Sequence, residues 1–119
     1  MSSVGPSGWR HHCAAKACVD ACAECVQACE ACAYQCCIPS GDAQMAQCAQ
    51  RCLDCAALCG LGVTLLARGS SLAEQICQLC AEVCEACAAE CGPFDAEACQ
   101  VCAEACRCRC AEACRAMAA

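Results

Sequence analysis

Cysteine recurs along this chain at gaps of three and four residues. In "CVDACAECVQACEACAYQC" the thiols Cys18, Cys22, Cys25, Cys29, Cys32 and Cys36 stand at steps of four, three, four, three and four. At about 100° per residue, they stay within roughly 40° of one line on an α-helix. The pattern returns three times. Cys48, Cys52, Cys55 and Cys59 share a line. Cys77, Cys80, Cys84, Cys87 and Cys91 share another, with slightly more drift. Cys99, Cys102, Cys106, Cys110 and Cys114 share the last. These are the a and d positions that Leu fills in an ordinary bundle.

Breaks separate the four stripes. "IPSGD" (38–42), "RGSS" (68–71) and "CGPFD" (91–95) interrupt Ala-, Glu- and Gln-rich runs that favour helix. Helices are predicted over 9–37, 43–68, 72–91 and 96–116, with residues 1–8 a flexible segment. Ser71 with Glu74 reads as a capping box and Asp95 as an N-cap. Gly69 and Gly92 read as residues closing helices. Short loops make successive helices antiparallel neighbours, so the stripes converge. The expected fold is all-α: an antiparallel four-helix bundle with a Cys-lined core, one domain over residues 1–119. Asp20, Glu24, Gln27, Glu30, Gln50, Glu82, Glu85, Glu104 and Glu112 fall on outer faces.

The chain has 119 residues and 23 cysteines, an odd number that excludes complete pairing within the chain. With one Trp, one Tyr and one Phe, a hydrocarbon core would be thin. Cys buries less apolar area than Leu and oxidises, so selection for stability alone would not place it at these positions. The net charge of −6 argues against nucleic acid and anionic membranes as partners. "MSSVGPSGWRHH" carries no apolar run and no twin Arg, so the expected location is the cytoplasm, where thiols stay reduced.

Thiolates are soft ligands and select Cu(I), Zn(II) or iron–sulfur clusters. Structural zinc uses two C-x-x-C pairs joined by a turn. Ferredoxin-type clusters use loop-borne runs ending in Cys-Pro. Here the steps run unbroken along helices, and each can clamp a two-coordinate Cu(I). Charge neutrality favours about one Cu(I) per stripe cysteine, on the order of 20 ions. A zinc or iron–sulfur binding module and a thiol-redox protein stay open as alternatives. No Ser/His/Asp set and no paired acids accompany the thiols, so no enzyme is expected.

The chain resembles the bacterial copper storage proteins, the Csp family, in its cytosolic branch. The first stripe carries the resemblance, with "CAQRCLDCAALC" (48–59), "ICQLCAEVCEACAAEC" (76–91) and "CQVCAEACRCRCAEACRAMA" (99–118). It implies a homotetramer of four-helix bundles that store many Cu(I) ions, with the stripe cysteines as ligands. A copper chaperone or a low-molecular-weight thiol would be the donor. Three departures stand out. After Cys106 the family pattern resembles C-x-x-C-A-E-x-C, whereas this chain reads "CRCRCAEAC". Cys108 should then point outward unless a π-bulge absorbs the extra residue. The turn "GPFDAEAC" carries no His. Cys37 follows Cys36 directly, about 100° off the stripe.

Other residues carry smaller expectations. His11, His12 and Cys13 could capture metal, although adjacent His residues are more often solvated. Met117 reads as an end plug; Trp9, Tyr34 and Phe94 read as packing residues. Gly62, Val63, Leu66 and Ala73 mark one bundle end as apolar and closed. The other end gathers Cys36, Cys48, Cys91 and Cys99 near Cys37, and is where copper would enter. Leu58, Leu61, Leu65, Ile76 and Val83 flank the stripes, sealing seams or meeting another subunit.

Overall fold

A computed structural model describes the backbone of residues 6–118 and the side chains of residues 15–117. It has four helices and no strand among the described residues. The first, α1, is continuous over 6–40: an α-helix Pro6–Ala31, a π-helical turn Cys32–Cys37 and a last turn Ile38–Ser40. Next come α2 (Ala43–Arg68) and α3 (Ala73–Cys91). The last, α4, covers 97–118 and has a π-helical segment, Ala105–Ala111, in its middle. Each helix packs on two others, α1 on α2 and α4, α3 on α2 and α4. The rod they form measures 55 × 19 × 18 Å.

The two wide turns have different causes. In α4, the steps Cys102–Cys106–Cys110–Cys114 are all fours. Each four-residue step advances about 40° beyond a full turn of α-helix. Wider winding over 105–111 takes up this drift, so Cys106 and Cys110 both stay buried while Cys108 is exposed. In α1, the Ile38 N–H reaches back five residues to the Ala33 carbonyl. Pro39 has no N–H, and in a regular helix its ring presses on the carbonyl four residues earlier. A π turn just upstream keeps the helix going to Ser40.

Loop chemistry sets where the helices start and stop. Gly41 adopts φ 70°, and Asp42 caps α2 by accepting the Gln44 N–H at 2.8 Å. Gly69, at φ 66°, closes α2 as expected, and the Ser70 N–H donates to the Leu65 carbonyl at 2.9 Å. Two expected caps do not form. Leu72, not Ser71, occupies the N-cap of α3, and the Ser70 hydroxyl accepts the Leu72 N–H instead. Ala96, not Asp95, precedes α4. Gly92 stays in right-handed helical geometry. The turn before α4 is instead held by the Gln100 amide, which donates to the Gly92 and Phe94 carbonyls.

Buried Ala33, Ala49, Ala56, Ala81, Ala88, Ala103 and Ala111 separate the thiols along the core. Small side chains let helix axes approach to about 8 Å, the close end of the usual range. This accounts for the narrow cross-section. All nine acidic and amide residues expected on outer faces are exposed. By length and mean hydropathy (1.3) α2 could cross a bilayer, but its cysteine face is turned into the bundle. Tyr34 is exposed, contrary to the expected packing role, whereas Phe94 packs on the core. Trp9, His11, His12 and Cys13 lie outside the described side chains.

Candidate metal centre

Antiparallel packing sorts the thiols into tiers. The α1 to α4 contacts run Cys18–Cys114 (3.5 Å), Cys22–Cys110 (3.5 Å), Cys25–Cys106 (3.4 Å), Cys29–Cys102 (3.6 Å) and Cys32–Cys99 (3.6 Å), sulfur to sulfur. Facing them, α2 and α3 contribute Cys59–Cys80 (3.3 Å), Cys55–Cys84 (3.5 Å), Cys87–Cys52 (3.8 Å) and Cys48–Cys91 (2.7 Å). In the tier of Cys18, Cys77 and Cys114, α2 offers Gly62 in place of a thiol. A Cβ added there would meet the Cys22 Sγ at 3.8 Å.

Twenty described cysteines are buried, and no buried polar or charged side chain accompanies them. Nineteen are residues of the predicted stripes. The exception is a correction: Cys37 is fully buried with its Sγ 3.6 Å from Cys32, while Cys36 is only half-buried. A regular helix would have turned Cys36 inward. The π turn lengthens the step from Cys32 to five residues, and Cys37 takes the place. The doubled Cys ahead of Pro39 was the available signal. Cys108 is exposed, and the π turn that stood as the alternative to an outward Cys108 forms across it as well.

The spacing suits bridging. Groups such as Cys25/Cys55/Cys59/Cys84, Cys25/Cys29/Cys55/Cys106 and Cys29/Cys52/Cys87/Cys102 have all their sulfurs within 4.8 Å of one another. The groups share members, so they are not separate four-ligand cages. With metal–sulfur bonds near 2.3 Å, a near-linear S–metal–S unit spans about 4.5 Å and a trigonal one sets sulfurs about 4 Å apart. Most facing thiols need to part by about 1 Å to admit two-coordinate metal, and Cys48 and Cys91, at 2.7 Å, by about 2 Å.

Protonation follows from burial and mutual hydrogen bonding. Cys37, Cys48 and Cys99 are raised above the ordinary thiol value first by burial, which penalises the anion. Within the tiers the thiols act on one another. Cys22 and Cys80 are pulled down, most strongly by hydrogen bonds from Cys110. Cys110 itself is pushed up, most strongly by Cys114. A thiol that accepts its neighbours' hydrogen bonds has its anion favoured, and its donor keeps the proton. The tiers therefore titrate as coupled sets.

A sulfur column of this kind agrees with the sequence comparison: the family described as "Csp: Copper storage protein" matches residues 11–119. The chain belongs to the copper storage protein family. Among solved structures of the family, the Cu(I)-bound copper storage protein BsCsp3 is 40% identical. It superposes with a TM-score of 0.81, covering 89% of this chain and 99% of that one. The apo form of copper storage protein 3 from Bacillus subtilis is 41% identical, with a TM-score of 0.80 over 87% of this chain and 98% of that one. The Nmul_A1745 protein from Nitrosospira multiformis is 33% identical, with a TM-score of 0.81 over 88% and 94%. None of the curated proteins compared with the chain matches it. The family's role is storage, a stoichiometric function.

At one end of the column Gly62, Leu66, Ala73 and Met117 are buried and Val63 is half-buried. The other end holds Cys32, Cys37, Cys48, Cys91 and Cys99, with Cys36 half-buried beside them. Met45, which sequence reasoning did not single out, packs there too, one turn before Cys48.

Proposed function

We propose that this chain stores Cu(I) in the thiolate column, with the twenty buried cysteines as ligands and Cys37 in the place first given to Cys36. The observation that carries this reading is a continuous sulfur core without a buried nitrogen or oxygen side-chain ligand among the described residues. Soft sulfur donors suit Cu(I), and shared ligands suit an ion of low coordination number. Zn(II) held by four thiolates of its own would bring two uncompensated negative charges into an apolar interior, where charge is costly. Bridged Cu(I) at one metal per thiolate leaves none.

Further parts of the reading rest on the residues and on family membership. The chain acts as one domain, carries no catalytic activity, and works in the cytoplasm, where its thiols remain reduced. It assembles as a homotetramer through the apolar side of α2 and α3, where Leu61, Leu72 and Leu79 are exposed. Copper arrives from a chaperone or a low-molecular-weight thiol. The decisive experiment is titration of reduced apo protein with Cu(I) against a strong competing chelator, with a parallel Zn(II) titration. Tight uptake of many Cu(I) ions that displaces any bound zinc is expected. Preferential retention of zinc would overturn the reading.

A further inference from the structure

Cys36 is neither inside the thiol column nor remote from it. Cys108, the other described cysteine that is not buried, is exposed on the outer side of α4. Cys36 instead packs against the core while keeping part of its surface in solvent. It adjoins Cys37 in the chain, and the Cys37 and Cys99 sulfurs each lie 3.6 Å from Cys32 in the last tier. The π turn creates this position, because the five-residue step from Cys32 sends Cys37 into the last tier and leaves Cys36 at the rim. Behind the rim the sulfurs are continuous: Cys32, Cys48, Cys52 and Cys91 lie within 4.8 Å of one another, and Cys52 is 3.6 Å from Cys102.

We propose that Cys36 is the acceptor thiol through which Cu(I) enters, standing half-exposed at the rim beside buried Cys37 and Cys99. This rests on the copper reading above. A donor presents Cu(I) between two small thiolates. The Cys36 thiol attacks, one Cu–S bond forms and one breaks, and its proton leaves on the departing donor thiol. A second exchange with Cys37 or Cys99 releases the other donor thiol in the same way. Copper stays Cu(I) throughout, so no oxidant or reductant takes part. Exchange of this kind depends on thiol access, which the buried tiers lack.

The test is stopped-flow loading of reduced apo protein from Cu(I) held by excess glutathione, followed by thiolate-to-copper ultraviolet absorption. Cys36→Ser and Cys36→Ala should each slow loading by about tenfold or more, since access controls exchange, and leave saturation unchanged. Cys108→Ser should load at the wild-type rate. Wild-type rates in both Cys36 variants would overturn the proposal, as would equal slowing in Cys108→Ser. A matching loss of capacity in the Cys36 variants would make Cys36 a storage ligand and also overturn it. Failure of the wild-type protein to load would instead defeat the copper reading itself.

Discussion

Cys37 lies 3.6 Å from Cys32, sulfur to sulfur, across a single π turn, while Cys36, one residue earlier, stays at the rim. Two adjacent thiols thus have different environments. Replacing Cys32 and Cys37 together by Ser should lower saturating Cu(I) by about two ions, on the basis of one charge-neutral Cu(I) per buried thiolate. The double variant Cys36→Ser/Cys108→Ser should saturate at the wild-type level. Equal losses in the two variants, measured by titration against a chelator, would contradict the inward assignment of Cys37.

The total load follows from charge. Twenty buried thiolates with no buried cation among the described residues need about 20 Cu(I) to reach neutrality. Metal analysis after gel filtration of loaded protein measures this. Saturation near half that value would mean isolated bis-thiolate sites in place of a bridged array.

Reduced apo protein should be strongly helical, since neutral thiols can be buried, and its stability should fall in alkali. Burial raises Cys37, Cys48 and Cys99 above the ordinary value of 9.0. Above that value the unfolded chain releases protons that the fold retains. Their contribution is therefore complete below about pH 9 and is lost as pH rises toward the folded values. Melting followed by circular dichroism should show Tm dropping above that pH. A Tm that rises there would contradict burial of neutral thiols.

The column leaves no room for Leu. Cys84 has Cys55 at 3.5 Å and Cys59 at 3.7 Å, all fully buried. Cys84→Leu should destabilise the apo bundle by about 1–3 kcal/mol, the usual cost of overpacking. Urea unfolding under reducing conditions measures it, with Cys84→Ala as the smaller-volume control. A stabilised Leu variant would show that the apo core is underfilled.

Gly69 holds a left-handed conformation at the end of α2, with its N–H on the Leu66 carbonyl at 3.1 Å. Gly69→Ala should cost about 1–2 kcal/mol, the penalty for a Cβ in that region. Chemical denaturation should register the loss with copper capacity unchanged. A neutral result would mean that the turn relaxes freely.

Four helices, their order and nineteen inward cysteines were legible because steps of three and four encode one helical face directly. The extra residue in "CRCRCAEAC" was visible as a broken step, and Cys108 points outward. Cys36 and Cys37 were not separable in this way. A step of four from Cys32 fits a regular helix, and only the backbone conflict at Pro39 favours a step of five. The capping errors at Ser71 and Asp95 have a similar origin. Side-chain caps are local and weak, and the Ser70 hydroxyl and the Gln100 amide satisfy those turns by other routes. Met45 gave no periodic signal, because it stands alone at the start of α2.

Among the described residues, buried Leu66, Ala73 and Met117 stop the thiol column at one end. With entry at the Cys36 rim, retrieval would follow a last-in, first-out order. An acceptor would meet the newest ions first, while those beside Cys18, Cys77 and Cys114 would leave only after the tiers above them had emptied. The same cargo would then exist in two grades, a fast-exchanging reserve at the rim and a deep deposit with a much longer residence time.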